Sequence, residues 1–316
     1  MKKFNKILKV MAIVCFCTFT IGLIVSIKTF NLNELKNANI DLGKFSKYVI
    51  NDVEDVFNNI EDSNAKHLDK EINLDEIKNI SIKSDLSNIQ IKENKNIDKL
   101  KVSVNYKYKG DINIKEDTLN IESVNSENMK NNKGGYKILL EIPKEFKINK
   151  LNVTNHLGNI ELDNVLFSDA DLSSDLGSIK INSTEYFIAN NIDASVNMGK
   201  LEIYNVDCLN GKLTSDMGGI KYIVNNKEDV EYGSLTAVSN AGSIEASFEF
   251  LNRNLILEND MGLVKLKVKN EGKNIDLKTS NDMGKIKNNF KIIEDKTINK
   301  RFNVDIKNNM GAIEIN

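Results

Sequence analysis

The chain has 316 residues, a net charge of −2 at pH 7, one proline and no tryptophan. Acidic and basic residues nearly cancel, which gives no reason to expect nucleic acid, since that calls for clustered basic patches. The length suits one large domain or two small ones with additions.

The N-terminus reads MKKFNKILKVMAIVCFCTFTIGLIVSIKTF. Residues 1–9 form a basic tail with Lys2, Lys3, Lys6 and Lys9, and an uncharged apolar run follows from Val10 to Ile27. A helix over 10–27 spans roughly 27 Å, close to the hydrocarbon thickness of a bilayer. We read it as a transmembrane anchor, with the lysines cytoplasmic and the bulk of the chain extracytoplasmic. That makes a single-pass protein of the cell membrane. The rival reading is a cleaved signal peptide, but the run is long for one and no A-x-A-like site follows it. A lipoprotein reading founders on the bulky residues before Cys15 and Cys17.

Residues 28–72 form a juxtamembrane stalk. Tyr48, Val49, Val53, Val56 and Ile60 recur at three- and four-residue steps, which predicts a short amphipathic helix. From residue 73 the pattern changes to period two. Ile80, Ile82, Ile89 and Ile91 alternate with polar residues, as half-buried strands do. We read 73–316 as an extracytoplasmic β domain, with capping strands over 73–150 and regular repeats over 151–316.

The repeats align on Gly158, Gly177, Gly199, Gly218, Gly242, Gly262, Gly284 and Gly311, at intervals of 19, 22, 19, 24, 20, 22 and 27 residues. Ser87 holds the glycine position in a degenerate first copy, SDLSNIQI. Positions five before, two after and four after the glycine are mostly apolar, as in Leu257, Val264 and Leu266. The position just before it is always apolar and is read as inward-facing, Met283 included. A unit of about 20 residues cannot bury a core alone, so the pattern predicts a parallel β-solenoid. Each strand would pair with its counterpart one coil on, about 4.8 Å away.

Two further columns fit stacked coils. Three before the glycine stand Asn155, Ser174, Val196, Ser215, Ser239, Asn259, Asn281 and Asn308, read as an inner polar ladder. Three after it stand Glu161, Lys180, Glu202, Lys221, Glu245, Lys265, Lys287 and Glu314. Their signs alternate through Lys265, as expected if successive repeats are neighbours.

Two before the glycine comes an outward ridge of His156, Asp175, Asn197, Asp216, Asn240, Asp260, Asp282 and Asn309. Asp and Asn there suit turns closed on their own backbone. The functional alternative is a cation held between Asp260 and Asp282. Calcium, however, wants six to eight oxygens, and the calcium repeat G-G-x-G-x-D is absent. No catalytic residue and no cofactor site is expected. His67 and His156 are the two histidines and lack obvious partners, and neither a nucleophile elbow nor a metalloprotease or phosphate-binding motif occurs. Outside the anchor the one cysteine is Cys208, which sits among apolar residues and reads as packed.

LDEIKNISIKSDLSNIQIKE, YKILLEIPKEFKINKLNVTNHLGNIELDNV and the repeated SDMGGIKY-type units together resemble the bacterial putative-adhesin family with β-strand repeats. This is a domain of unknown function common in Gram-positive cell envelopes, and the resemblance covers about residues 70–316. It implies a solenoid-like domain, often behind a membrane anchor, with no functional residue to carry over.

The expected function is therefore non-enzymatic: a membrane-anchored surface for binding or adhesion at the envelope. Expected partners are cell wall, lipid or an envelope protein, and no nucleic acid. An alternative is a regulator or sensor of envelope stress acting through the anchor and stalk. A third, an enzyme on surface polysaccharide, requires an acidic cleft on one coil face. The C-terminal coil, ending GAIEIN, has no obvious cap and is expected to be covered by a partner or by residues 28–70.

Overall fold

The computed structural model describes residues 66–106, 109–124, 136–228, 230, 232–296 and 301–316. The expected basic tail and anchor over 1–27, and the stalk up to residue 65, lie outside the described residues. Among the described residues no helix is long and apolar enough to cross a membrane.

The first strands are β1 (Lys66–Ile72), β2 (Asn79–Ser84), β3 (Ser87–Asn94), β4 (Leu100–Tyr106), β5 (Lys109–Lys115), β6 (Thr118–Val124) and β7 (Tyr136–Pro143). Then come β8 (Lys147–Leu157), β9 (Ile160–Asp163), β10 (Leu166–Leu176), β11 (Ile179–Ile223), β12 (Ser234–Phe248) and β13 (Asn254–Val268). The chain ends with β14 (Gly272–Lys273), β15 (Ile275–Asn288), β16 (Ile292–Ile293) and β17 (Phe302–Ile315). A single 3-10 turn, Leu74–Glu76, is the one described helical element.

The protein is all-β, and its repeats pair in parallel, glycine against glycine, as a solenoid requires. The strands β2 and β3 form the first coil, pairing in parallel with β8 and β9. Beyond it, antiparallel pairs β1–β4, β4–β7 and β5–β6 close that end. The cap begins earlier than the sequence reading placed it. Residues 66–72, assigned to the stalk, form β1, whose Ile72 is buried and pairs with Leu100.

Coil order in space departs from coil order in the chain. β17 pairs with β13 on one side and with β15 on the other. The last strand is thus inserted between the two repeats that precede it. Among the described residues the open end is β15, not the C-terminal coil, which corrects the expectation built on GAIEIN.

Inward positions are those the alternation picked out. Leu257, Val264 and Leu266 are buried, with Leu213, Ile220 and Ile306 in the same columns. Each such aliphatic contributes roughly 1.5–3 kcal/mol by leaving water. At the corners the glycines have positive φ, from 115° at Gly158 to 156° at Gly242. A Cβ on Gly242 would lie 1.4 Å from the carbonyl oxygen of Gly218 in the coil below. Conformation and space therefore both demand glycine there.

Candidate functional surface and buried polar centre

The corner places three columns side by side. The inner one is polar and buried: Ser84, Asn155, Ser174, Ser215, Ser239, Asn259 and Asn308 are all shielded from solvent. Most reach the glycine carbonyl of the neighbouring coil. Asn155 Nδ2 donates to Ser87 O at 2.8 Å, Asn308 Nδ2 to Gly262 O at 3.0 Å, and Asn281 Nδ2 to Gly311 O at 3.0 Å. These bonds satisfy a carbonyl that the corner geometry turns away from the regular ladder.

The second column is the outward ridge, and its spatial order explains its composition. Read through the stack it runs His156, Asp175, Asn197, Asp216, Asn240, Asp260, Asn309, Asp282, so carboxylate and amide alternate. Asn197 Nδ2 donates to Asp175 at 3.0 Å, Asn240 to Asp216 at 3.1 Å, and Asn309 to Asp260 at 2.8 Å. At the other end His156 Nδ1 lies 2.7 Å from Asp175. The ridge is a hydrogen-bonded ladder in which amide donors face carboxylate acceptors. Asp260 and Asp282 are not neighbours: the strand carrying Asn309 stands between them, placing them two strand spacings apart, about 9.6 Å. Two carboxylates so separated, one already taken by an amide, do not make the cation site considered from sequence. Among the described residues no His, Cys, Asp and Glu side chains group as metal ligands.

The third column corrects the sequence reading. Met198, Met217, Met261, Met310 and Met283 are 40–62% exposed rather than inward-facing. The inner column lies three before the glycine and the next buried position two after it, a step of five. Parity flips at the corner, so both residues just before the glycine splay outward. With half-buried Leu157, Leu176 and Ala241 they form one continuous apolar stripe beside the Asp/Asn ladder.

Beyond the corner, the charged column also alternates in spatial order: Glu161, Lys180, Glu202, Lys221, Glu245, Lys265, Glu314, Lys287. Lys180 pairs with Glu161 at 3.7 Å, Lys221 with Glu245 at 3.9 Å, and Lys265 with Glu314 at 3.6 Å. Lys267 also donates to Glu245, and that hydrogen bond holds the Glu245 carboxyl below its usual range.

One polar centre escaped the sequence reading entirely. Asp207 and Arg253 are both wholly buried. Arg253 reaches the two carboxylate oxygens at 2.7 and 2.8 Å with one nitrogen and stacks over the Tyr232 ring at 4.2 Å. Tyr222 Oη donates to Asp207 at 2.6 Å and Tyr186 Oη at 3.2 Å, with Tyr186 also hydrogen-bonded to Tyr232. Burial raises the pKa of Tyr222 well above the usual phenol value, and the Asp207 charge adds to it. Burial opposes the Arg253 charge, but Tyr222 and Asp207 more than offset it and its pKa is raised. Cys208 beside them is buried, as its apolar neighbours implied, and burial pushes its thiol up to about 11. The centre is sealed, so it offers no surface to a substrate. It acts as a polar lock tying residues on four coils. A faint signal existed: Arg253 is one of two arginines in a lysine-rich chain.

A cleft on the cap is lined by Asp69, Glu71, Lys101, Ser103 and Glu141. Lys101 pairs there with Glu71 at 3.2 Å and Lys92 with Glu141 at 3.3 Å. Asp69 faces His67 on its own strand at 2.6 Å, so the carboxylates of the cleft each have a basic neighbour.

Residues 77–316 match the Toastrack DUF4097 family, and the chain belongs to it. Solved structures with a similar trace include a putative adhesin from Bacteroides fragilis, 13% identical, with a TM-score of 0.43 over 79% of this chain and 97% of that one. Others are a putative cell adhesion protein from Clostridium sporogenes, 12% identical, TM-score 0.28, covering 79% and 98%, and a putative adhesin from Parabacteroides merdae, 10% identical, TM-score 0.35, covering 81% and 97%. No curated protein matches the chain.

Proposed function

We propose that this protein is a non-enzymatic binding scaffold, anchored in the membrane through residues 10–27, with the corner stripe as its contact surface outside the cell. The observation that carries the reading is the methionine column. A corner needs glycine and a turn-forming Asp or Asn, but nothing in its geometry needs an exposed thioether at five coils. Contiguous exposed apolar side chains rimmed by polar ones mark interaction surfaces, and methionine adapts to varied partners. The stripe repeats at the strand spacing, which suits an extended polymer or the face of an envelope component.

The test replaces Met198, Met217 and Met261 together by Gln in the full chain. These side chains contact solvent, so circular dichroism and the thermal midpoint should stay close to wild type. With the anchor held in detergent micelles, co-sedimentation with purified cell-wall sacculi should fall at least about fivefold, an apolar contact loss of roughly 1 kcal/mol. Unchanged sedimentation of the variant, or no sedimentation of the wild type, sinks the proposal.

A further inference from the structure

The stack stops at β15 with its ladders unfinished. β15 pairs with β17 alone in the main sheet, and its other edge is free among the described residues. Ile286, in a column buried in every other coil, is 44% exposed there. Three polar columns end on the same edge. Glycine carbonyls in the stack accept an amide or hydroxyl from the next coil, as Gly311 does from Asn281, and Gly284 is the last. Asp260 accepts an amide from Asn309, and Asp282 ends that column. Lys265 meets Glu314, and Lys287 ends that one.

The strand that would continue this stack is therefore specified. It needs an Asn or Ser three before its turn glycine, to reach the Gly284 carbonyl. It needs an Asn two before, to donate to Asp282. It needs an aliphatic two after, to cover Ile286, and an acid three after, to face Lys287. We propose that the free edge of β15 is the docking site for such a strand, N-N-x-G-x-I-E-I in pattern, belonging to a partner protein and added in parallel.

A second copy does not fit this description. Its own strand of this pattern, β17, is occupied on both edges. Pairing two copies of β15 antiparallel with Thr279 opposite Ile286 sets Lys278 opposite Lys287. Lysines on an exposed edge oppose that self-pairing, while they attract an acidic strand.

The experiment titrates the full chain in detergent micelles with a peptide of the β17 sequence, FNVDIKNNMGAIEIN, and with the same peptide carrying Lys in place of its Glu. The acidic peptide should bind at least about fivefold tighter, and Lys287→Glu should reverse the order, because opposed and like charges across strands differ by roughly 1 kcal/mol or more. Hydrogen exchange should show β15 amides gaining protection with β17 and β13 unchanged. Equal affinity of the two peptides, no binding, or loss of β17 protection through strand exchange overturns the proposal. So does self-association of the wild type through β15 that Lys287→Glu strengthens, by setting Glu opposite Lys278, which assigns the edge to a second copy.

Discussion

Lys265 and Glu314 lie 3.6 Å apart on neighbouring strands although 49 residues separate them in the chain. The contact exists because β17 is threaded between β13 and β15. Without it, Lys265 would face Lys287 and Asp260 would face Asp282. The inserted strand supplies Glu314 to the first pair and Asn309 to the second, and so separates two repeats that would repel each other.

Glu314→Lys should therefore destabilise the C-terminal coils more than its exposure suggests. It removes one attraction and sets three lysines in a row, a cost of about 1–2 kcal/mol in total. Urea denaturation of the variant measures it. Adding Lys287→Glu to the same chain should restore part of the loss, because the new glutamate then faces the new lysine while Lys265 keeps Glu245 as its other neighbour. No recovery in the double variant would mean that the column is not read strand to strand.

Gly242→Ala should cost about 3 kcal/mol or more, from a Cβ driven into the Gly218 carbonyl and a backbone at φ 156°. Gly219→Ala is the control. Its Cβ would meet nothing nearer than 3.4 Å, at Ser243 Oγ, and the change should be near neutral. Thermal melts of the two variants separate the corner requirement from a general intolerance of alanine in the strand.

Arg253→Met should lower stability by about 3–5 kcal/mol, because it leaves the Asp207 carboxylate buried without its cation. The double variant Asp207→Leu, Arg253→Met should recover much of that, since neither charge then remains. A double variant as unstable as the single one would show that the tyrosine hydroxyls, rather than the ion pair, dominate the centre.

Alkaline pH should weaken the fold through Cys208. A free thiol ionises near about 8.5, and burial pushes this one up to about 11. The unfolded chain then releases its proton first. The contribution is intact below the unfolded value and is lost as pH rises through the window to about 11. The loss is about 1.4 kcal/mol per pH unit within it. Wild type should therefore lose about 2–3 kcal/mol more than Cys208→Ala between pH 8 and pH 10.5 in denaturant titrations. Parallel losses would show that the thiol is not held neutral.

Much of this was legible in the sequence. The glycine spacing and the apolar positions at five before, two after and four after fixed the coil and its core face, because burial and strand period act on every repeat alike. Met283 was misread for a specific reason. Alternation assigns faces only along a continuous strand, and the step of five across the corner reverses it. The threading of β17 left a trace that sequence order concealed. The Glu/Lys alternation breaks at Lys265 and Lys287, the Asp/Asn alternation breaks at Asp260 and Asp282, and both are restored by moving one repeat. The Asp207–Arg253 lock left almost none, because the two residues come from different coils and neither lies in a repeating column.

The threading also sets a timetable for biosynthesis. Each earlier coil can add to a finished edge as soon as it emerges from the ribosome. Residues 275–288 cannot, because the edge waiting for them carries charges of their own sign. Their partner strand is complete only when the final residues arrive, so a chain cut short by about fifteen residues should forfeit two coils rather than one.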